Sequence, residues 1–182
     1  MLLRPAWGSL AGSSGVWLGA PFHFDLTRLG SALFGLNDPR IRPSPLKQIL
    51  HLSTPVIDVR VLSAGERVGY GATFRAERRT RLAVVGLGYA QGLPWASGNR
   101  TTLRVGDVVV PVVGRLSMEY LTIDVTEVPE SLCHRGSRVA LLDERMTIDD
   151  LADAAGVAAQ EILLRLGSAC QRDYSPMISG EP

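Results

Sequence analysis

Four side chains in the middle of the chain are framed so that they could meet a ligand. Tyr70 stands between Gly69 and Gly71 in VGYGATF (68–74), and Tyr89 follows Gly88 in LGYAQG (87–92). Arg115 follows Gly114 in VGRLSME (113–119), and Met118 lies three residues further on. Glycine is used where the chain needs a positive φ or where another backbone or a ligand must come close. A phenol in such a frame has two readings: packing within a tight β-turn, or a reactive group held out from a strand end. A free phenol titrates near pH ~10, so it acts as a base near neutrality only beside positive charge or hydrogen-bond donors. Taken singly, each residue has a structural reading: Tyr as half-buried packing, Arg as a solvated strand edge, Met as core.

The rest of the composition narrows the chemistry. The 182 residues carry 19 basic and 18 acidic side chains, a net charge of +1, with the signs interspersed. No basic stripe asks for nucleic acid, and no polybasic segment or membrane-length apolar run asks for a lipid bilayer. Cys133 and Cys170 lack metal spacing and fit structural roles in a reduced, cytoplasmic protein. His23, His51 and His134 are too scattered to suggest a local metal motif. Lys47 is the only lysine, so chemistry that needs an amine has one candidate in this sequence.

The elements that must position these residues are mostly strands. Residues 56–62, 81–88, 101–105, 108–113 and 137–143 read as short strands, and Gly106-Asp107 reads as a type II′ hairpin turn. Residues 115–125 read as a further strand, with a bulge near 120–121 where the apolar parity changes. Six or more short strands broken by Gly and Pro predict a β-barrel or sandwich. Thr147 and Asp150 form a capping-box pattern for a helix stopped by Gly156. A second helix reads over 157–167, with Gly167 as its stop. Residues 1–55 are irregular, and the prolines of NDPRIRPSP (37–45) mark a linker, with a boundary near 37–55.

Taken together and in order, GYGATF, GYAQG and VGRLSMEYLTIDVT resemble the C-terminal β-domain of the alanine racemase family. AGSSG (11–15) and FDLTRLGSALFG (24–35) resemble the last part of that family's N-terminal (β/α)8 barrel, and QEILLRLGSACQRDY (160–174) its closing helix and tail. The likeness runs over residues 9–174, nearly the whole chain. It implies a mainly β fold: a C-terminal β-barrel domain with short C-terminal helices over 46–182, preceded by an incomplete remnant of the (β/α)8 barrel over 1–45.

The resemblance also implies a function. It is the interconversion of L- and D-alanine with pyridoxal 5′-phosphate (PLP), supplying D-alanine for the cell wall by a two-base mechanism. Tyr70 matches the family's tyrosine base. Tyr89 and Arg115 would line the substrate entrance, and Met118 would meet the substrate carboxylate through its backbone N–H. Ser13, Gly30, Ser31 and the Tyr174 hydroxyl would bind the cofactor phosphate, and phosphate is often held by the loops after strands 7 and 8 of such barrels. Arg28 would face the pyridine nitrogen and leave it an unprotonated acceptor, because a guanidinium keeps its proton. The family site is shared, with the β-domain of one subunit reaching the barrel of the other in a homodimer.

The family's second base is the lysine that anchors PLP, and it lies on the first barrel strand. Lys47 matches no motif lysine. The expectation is therefore a chain inactive alone: a fragment, a truncated product or half of a split enzyme that needs a complementing N-terminal barrel. The alternatives are a non-catalytic β-domain serving as a dimerisation or binding module, and a racemase-like fragment for another small amino acid such as serine. Gly12, Leu29, Ser31, Gln91, Trp95, Glu119 and Ala169 depart from the residues usual in the family.

Overall fold

The computed structural model of the protein describes residues 7–36, 38, 40–41 and 44–174. Part of the expected linker and everything after Tyr174 lie outside these residues.

Eight strands and two α-helices follow one another: β1 (Leu52–Leu62), β2 (Arg67–Val68), β3 (Phe74–Arg75), β4 (Thr80–Val85), β5 (Thr102–Val105), β6 (Val108–Pro111), β7 (Leu121–Asp124), β8 (Arg138–Leu142), α1 (Ile148–Ala155) and α2 (Ala159–Ala169). Six strands form one antiparallel sheet in the order β6-β5-β8-β1-β4-β7. A bridge between Val112 and Ile123 joins its two ends, and Val113 N–H donates to Thr122 O at 2.9 Å. The sheet is thus a nearly closed barrel, an arrangement that leaves few edge groups unpaired.

The long strand β1 makes the closure possible. Its first part (Leu52–Pro55) pairs with β8 and its second (Val56–Leu62) with β4, and a register shift lies within each stretch. Such irregularities bend a strand and raise its twist, which curls the sheet. Alternation then selects the core. Val56, Ala83, Leu103, Ile123, Val139 and Leu141 face inward with at most 2% of their surface exposed. Burying an aliphatic side chain of this size contributes about 1.5–3 kcal/mol for the larger ones, so this interior dominates the stability of the domain.

The hairpin at Gly106-Asp107 forms in the expected register, with Val105 opposite Val108 and Gly106 at φ 58°. The capping box at α1 also forms: Thr147 Oγ1 accepts from Asp150 N–H at 3.1 Å, and Asp150 Oδ2 accepts from Thr147 N–H at 3.0 Å. Ile148, Leu151, Ala152 and Ala155 bury one face of α1, and Gly156 ends it.

Three expectations are corrected. Residues 115–120 are a loop, and only Leu121–Asp124 of the expected 115–125 strand pairs. The parity change at 120–121 marks the junction of loop and strand, with no bulge. Gly167 does not stop α2, which runs on to Ala169. A helical glycine costs only ~1 kcal/mol relative to Ala, and here Arg172 Nε donates to Gly167 O at 2.9 Å, capping a carbonyl of the last turn. The small β2–β3 hairpin that carries Tyr70 between its strands had no counterpart in the sequence pattern.

Residues 7–36 hold three short 3₁₀ turns and one parallel bridge, Gly12 to Arg28. Trp7, Trp17, Phe22, Phe24, Leu33 and Phe34 are exposed there. Leu36 enters the domain core. Nearby, Gln48 knits the junction: its Nε2 donates to Asp143 O at 2.9 Å and Leu50 O at 3.1 Å, and its Oε1 accepts from Ile148 N–H at 2.7 Å. Among the described residues no helix is long and apolar enough to cross a membrane.

Candidate active site

The loop 114–118 organises the candidate site. Leu116 anchors it in the core with 1% of its surface exposed. Ser117 N–H donates to Tyr120 O at 2.9 Å, which turns the chain back before β7 begins. Asn99 Oδ1 accepts from Gly114 N–H at 2.6 Å and fixes the other end.

The Tyr70 turn docks on the first half of this loop. Gly69 and Gly114 approach so closely that a Cβ on Gly69 would stand 3.1 Å from the Gly114 Cα. Tyr70–Ala72 forms a 3₁₀ turn between β2 and β3, with Ala72 N–H donating to Gly69 O at 3.0 Å. Arg67 Nη1 donates to Ala72 O at 3.1 Å from the β2 side. The Tyr70 side chain is 67% exposed, so the phenol is held out from the strand end and does not pack beneath the turn. Arg115 stands beside it. A Cβ on Gly71 would lie 3.5 Å from an Arg115 Nη, and the Arg115 guanidinium carbon is 5.4 Å from the centre of the Trp95 ring.

The Tyr89 turn docks on the second half. Tyr89 N–H donates to Ser117 O at 3.2 Å, and Ala90 N–H donates to Met118 O at 2.8 Å. Gly88 is needed there, because a Cβ would overlap the Ser117 and Met118 carbonyls. Gln91 Oε1 accepts from Gly88 N–H at 2.9 Å and closes the turn. Tyr89 and Met118 are both exposed. All four residues singled out in the strand region are therefore mounted on, or belong to, one short loop.

A second group forms near the N-terminus. Ser13 Oγ accepts from Gly30 N–H at 2.9 Å and from Ala32 N–H at 3.2 Å, which brings Ser13, Gly30 and Ser31 together. Among the described residues nothing lies within 4 Å of where a Gly30 Cβ would stand. Arg28 N–H donates to Ala11 O at 2.9 Å, and its guanidinium donates to Ser9 Oγ at 2.5 Å. Tyr174 does not join this group. It is 87% exposed in the tail after α2. Lys47 is exposed beside Gln48.

Residues 49–174 match the family described as "Alanine racemase, C-terminal domain". The chain belongs to the alanine racemase family. Among curated relatives, alanine racemase 3 of Mesorhizobium japonicum is 54% identical over 173 residues, which are 95% of this chain and 45% of the relative. Among solved structures, alanine racemase from Bartonella henselae with covalently bound PLP has a TM-score of 0.88 at 32% identity, over 95% of this chain and 48% of that one. Biosynthetic alanine racemase from Pseudomonas aeruginosa has a TM-score of 0.87 at 34% identity, over 96% of this chain and 49% of that one. The chain thus spans about half the length of the racemases it matches.

Sequence reasoning missed Arg67 and Asn99, which hold this loop and its turns, and noted Trp95 only as a departure from the family's usual residue. Asn99 carried a signal: it follows Gly98 and takes φ 57°, a conformation in which asparagine is enriched.

Proposed function

We propose that this chain supplies the C-terminal part of a PLP-dependent alanine racemase that interconverts L- and D-alanine. One observation carries the reading: both Gly-Tyr turns meet the loop of Arg115 and Met118, so an exposed phenol and the groups expected around a small amino acid share one mounting.

The residues present suit the cofactor. The Ser13 hydroxyl, the open backbone at Gly30 and the turn at Ser31 fit a phosphate, which small residues and backbone N–H groups bind well. In the complete racemase Arg28 would face the pyridine nitrogen, and the Tyr174 hydroxyl, exposed in the tail and apart from this group here, would have to reach the phosphate from there. When bound, PLP supplies the electron sink that makes an amino acid Cα–H acidic. Tyr70 then takes or returns the proton on one face of Cα. Met118 N–H donates to the substrate carboxylate, while Tyr89 and Arg115 narrow the entrance. The lysine that anchors the cofactor, which is also the opposite base, would come from the N-terminal barrel of the racemase, because Lys47 is the sole lysine in this sequence and stands exposed. In the assembled dimer, Tyr70 of one subunit serves the barrel of the other.

The test is complementation. The chain is co-expressed with the N-terminal portion of Mesorhizobium alanine racemase 3 that it does not cover, and D-alanine formation is measured with added PLP. Activity is expected only from the pair, and Tyr70→Phe should lower kcat by about 10²-fold or more, the scale of general-base catalysis. Racemisation by the 182-residue chain alone, or unchanged turnover in Tyr70→Phe, sinks the proposal.

A further inference from the structure

The Tyr70 turn has an uncommon backbone. Gly69, Gly71 and Ala72 all have positive φ, and Ala72, at 51°, bears a side chain. A non-glycine residue in that region costs about 1–2 kcal/mol and persists only where its surroundings hold it. Arg67 holds one side of the turn through the Ala72 carbonyl. The open side of Gly71 faces Arg115.

Arg115 is an exposed arginine with no carboxylate partner among the described residues. A long side chain in that position normally samples many rotamers. Here its guanidinium carbon is 5.4 Å from the centre of the Trp95 ring, and one Nη is the heavy atom nearest the open position beside Gly71, 3.5 Å from where a Cβ would stand. The stack is built from below. A Cβ on Gly98 would stand 3.0 Å from Gly114 O and 3.1 Å from Arg115 Cα, so the loop that carries Trp95 packs backbone to backbone on the segment that carries Arg115. Arginine stacks flat on aromatic rings, and such contacts restrict it.

The geometry points to Trp95 as a positioning residue for the Tyr70 turn, acting through Arg115. The indole fixes the guanidinium, and the guanidinium, set beside Gly71, limits the room the turn has to relax. The importance of this for catalysis rests on the reading of Tyr70 as the proton-transfer group, but the mechanical coupling does not.

The experiment uses the isotopically labelled 182-residue chain in solution NMR. Two readouts are followed: the ring-current shift of the Arg115 side chain, and solvent exchange of the Ala72 amide, which is bonded to Gly69 O. Trp95→Leu should abolish the ring-current shift and speed Ala72 exchange by about 2–5-fold, the scale of an exposed cation–π contact. Trp95→Phe should keep most of both effects. Arg115→Gln should speed exchange as much as Trp95→Leu, and the double variant no more than either. Unchanged Ala72 exchange in Trp95→Leu, or additive effects in the double variant, overturns the proposal. If Trp95→Leu disturbs the core amides of Leu103 and Ile123, Arg115→Gln decides: unchanged Ala72 exchange there overturns it. Neither readout involves cofactor or turnover, so a failed Tyr70→Phe test would leave this result standing, and the reverse holds too.

Discussion

Gly69 and Gly114 touch backbone to backbone. A Cβ on Gly69 would stand 3.1 Å from the Gly114 Cα, and a Cβ on Gly114 would stand 3.3 Å from the Gly69 Cα. Both have positive φ, 86° and 81°. Through this contact the hairpin of Tyr70 is seated on the loop of Arg115 and Met118.

Gly114→Ala should therefore act in two ways. The left-handed backbone penalises alanine by about 1–2 kcal/mol, and the new methyl pushes the Tyr70 turn away. A lower urea midpoint is expected, with faster exchange of the Ala72 amide. A variant with the wild-type midpoint and exchange pattern would show that the contact is dispensable.

Gln48 should matter more than its place in a linker suggests. Its side-chain amide serves the carbonyls of Leu50 and Asp143 and the first turn of α1. Gln48→Ala leaves these part-buried groups short of partners, at about 1–3 kcal/mol. For a chain of this size the expected loss in Tm is roughly 2–12 °C. Lys47→Ala, next door and exposed, should change stability by no more than about 0.5 kcal/mol. Equal melting temperatures for the two variants would contradict the assignment.

Asp143 should give the domain an acid-sensitive component. Burial pushes its carboxyl up, but the Arg145 N–H at 2.8 Å and the Arg104 guanidinium at 2.7 Å outweigh this and hold the pKa below the ordinary aspartate value. The folded state thus binds this proton less readily than the unfolded chain. Its contribution is complete above the ordinary range near pH ~4 and is lost as pH falls through the lowered value. Asp143→Asn should be less stable at neutral pH and should lose less stability on acidification. Urea titrations at a series of pH values test this; an unaltered acid dependence would rule Asp143 out.

Much of the site was legible in the sequence because glycine marks places of close approach. The frames around Tyr70, Tyr89 and Arg115 each contain a glycine that meets another backbone. The loop 114–118 was not legible, because Leu116, Met118 and Tyr120 alternate as a strand does. What overrides the alternation is the use of the carbonyls: Ser117 O and Met118 O accept from Tyr89 and Ala90, while Ser117 N–H turns to Tyr120 O. The start of β1 was hidden by Pro55, which has no N–H for the ladder; its carbonyl still accepts from Gly86 N–H at 3.1 Å. The strands β2 and β3 are two residues each, too short for any period to show.

The shared mounting also restricts how the gene can drift. Gly114 meets the Tyr70 turn, while Ser117 and Met118 receive the Tyr89 turn. Inserting or deleting a codon between them would change the spacing of these contacts and turn the carbonyls out of alignment with Tyr89 and Ala90. One aromatic turn or the other would lose its seat. Length changes in descendants of this sequence are therefore to be sought in other surface loops, and substitutions, not indels, are what the stretch from Gly114 to Met118 can absorb.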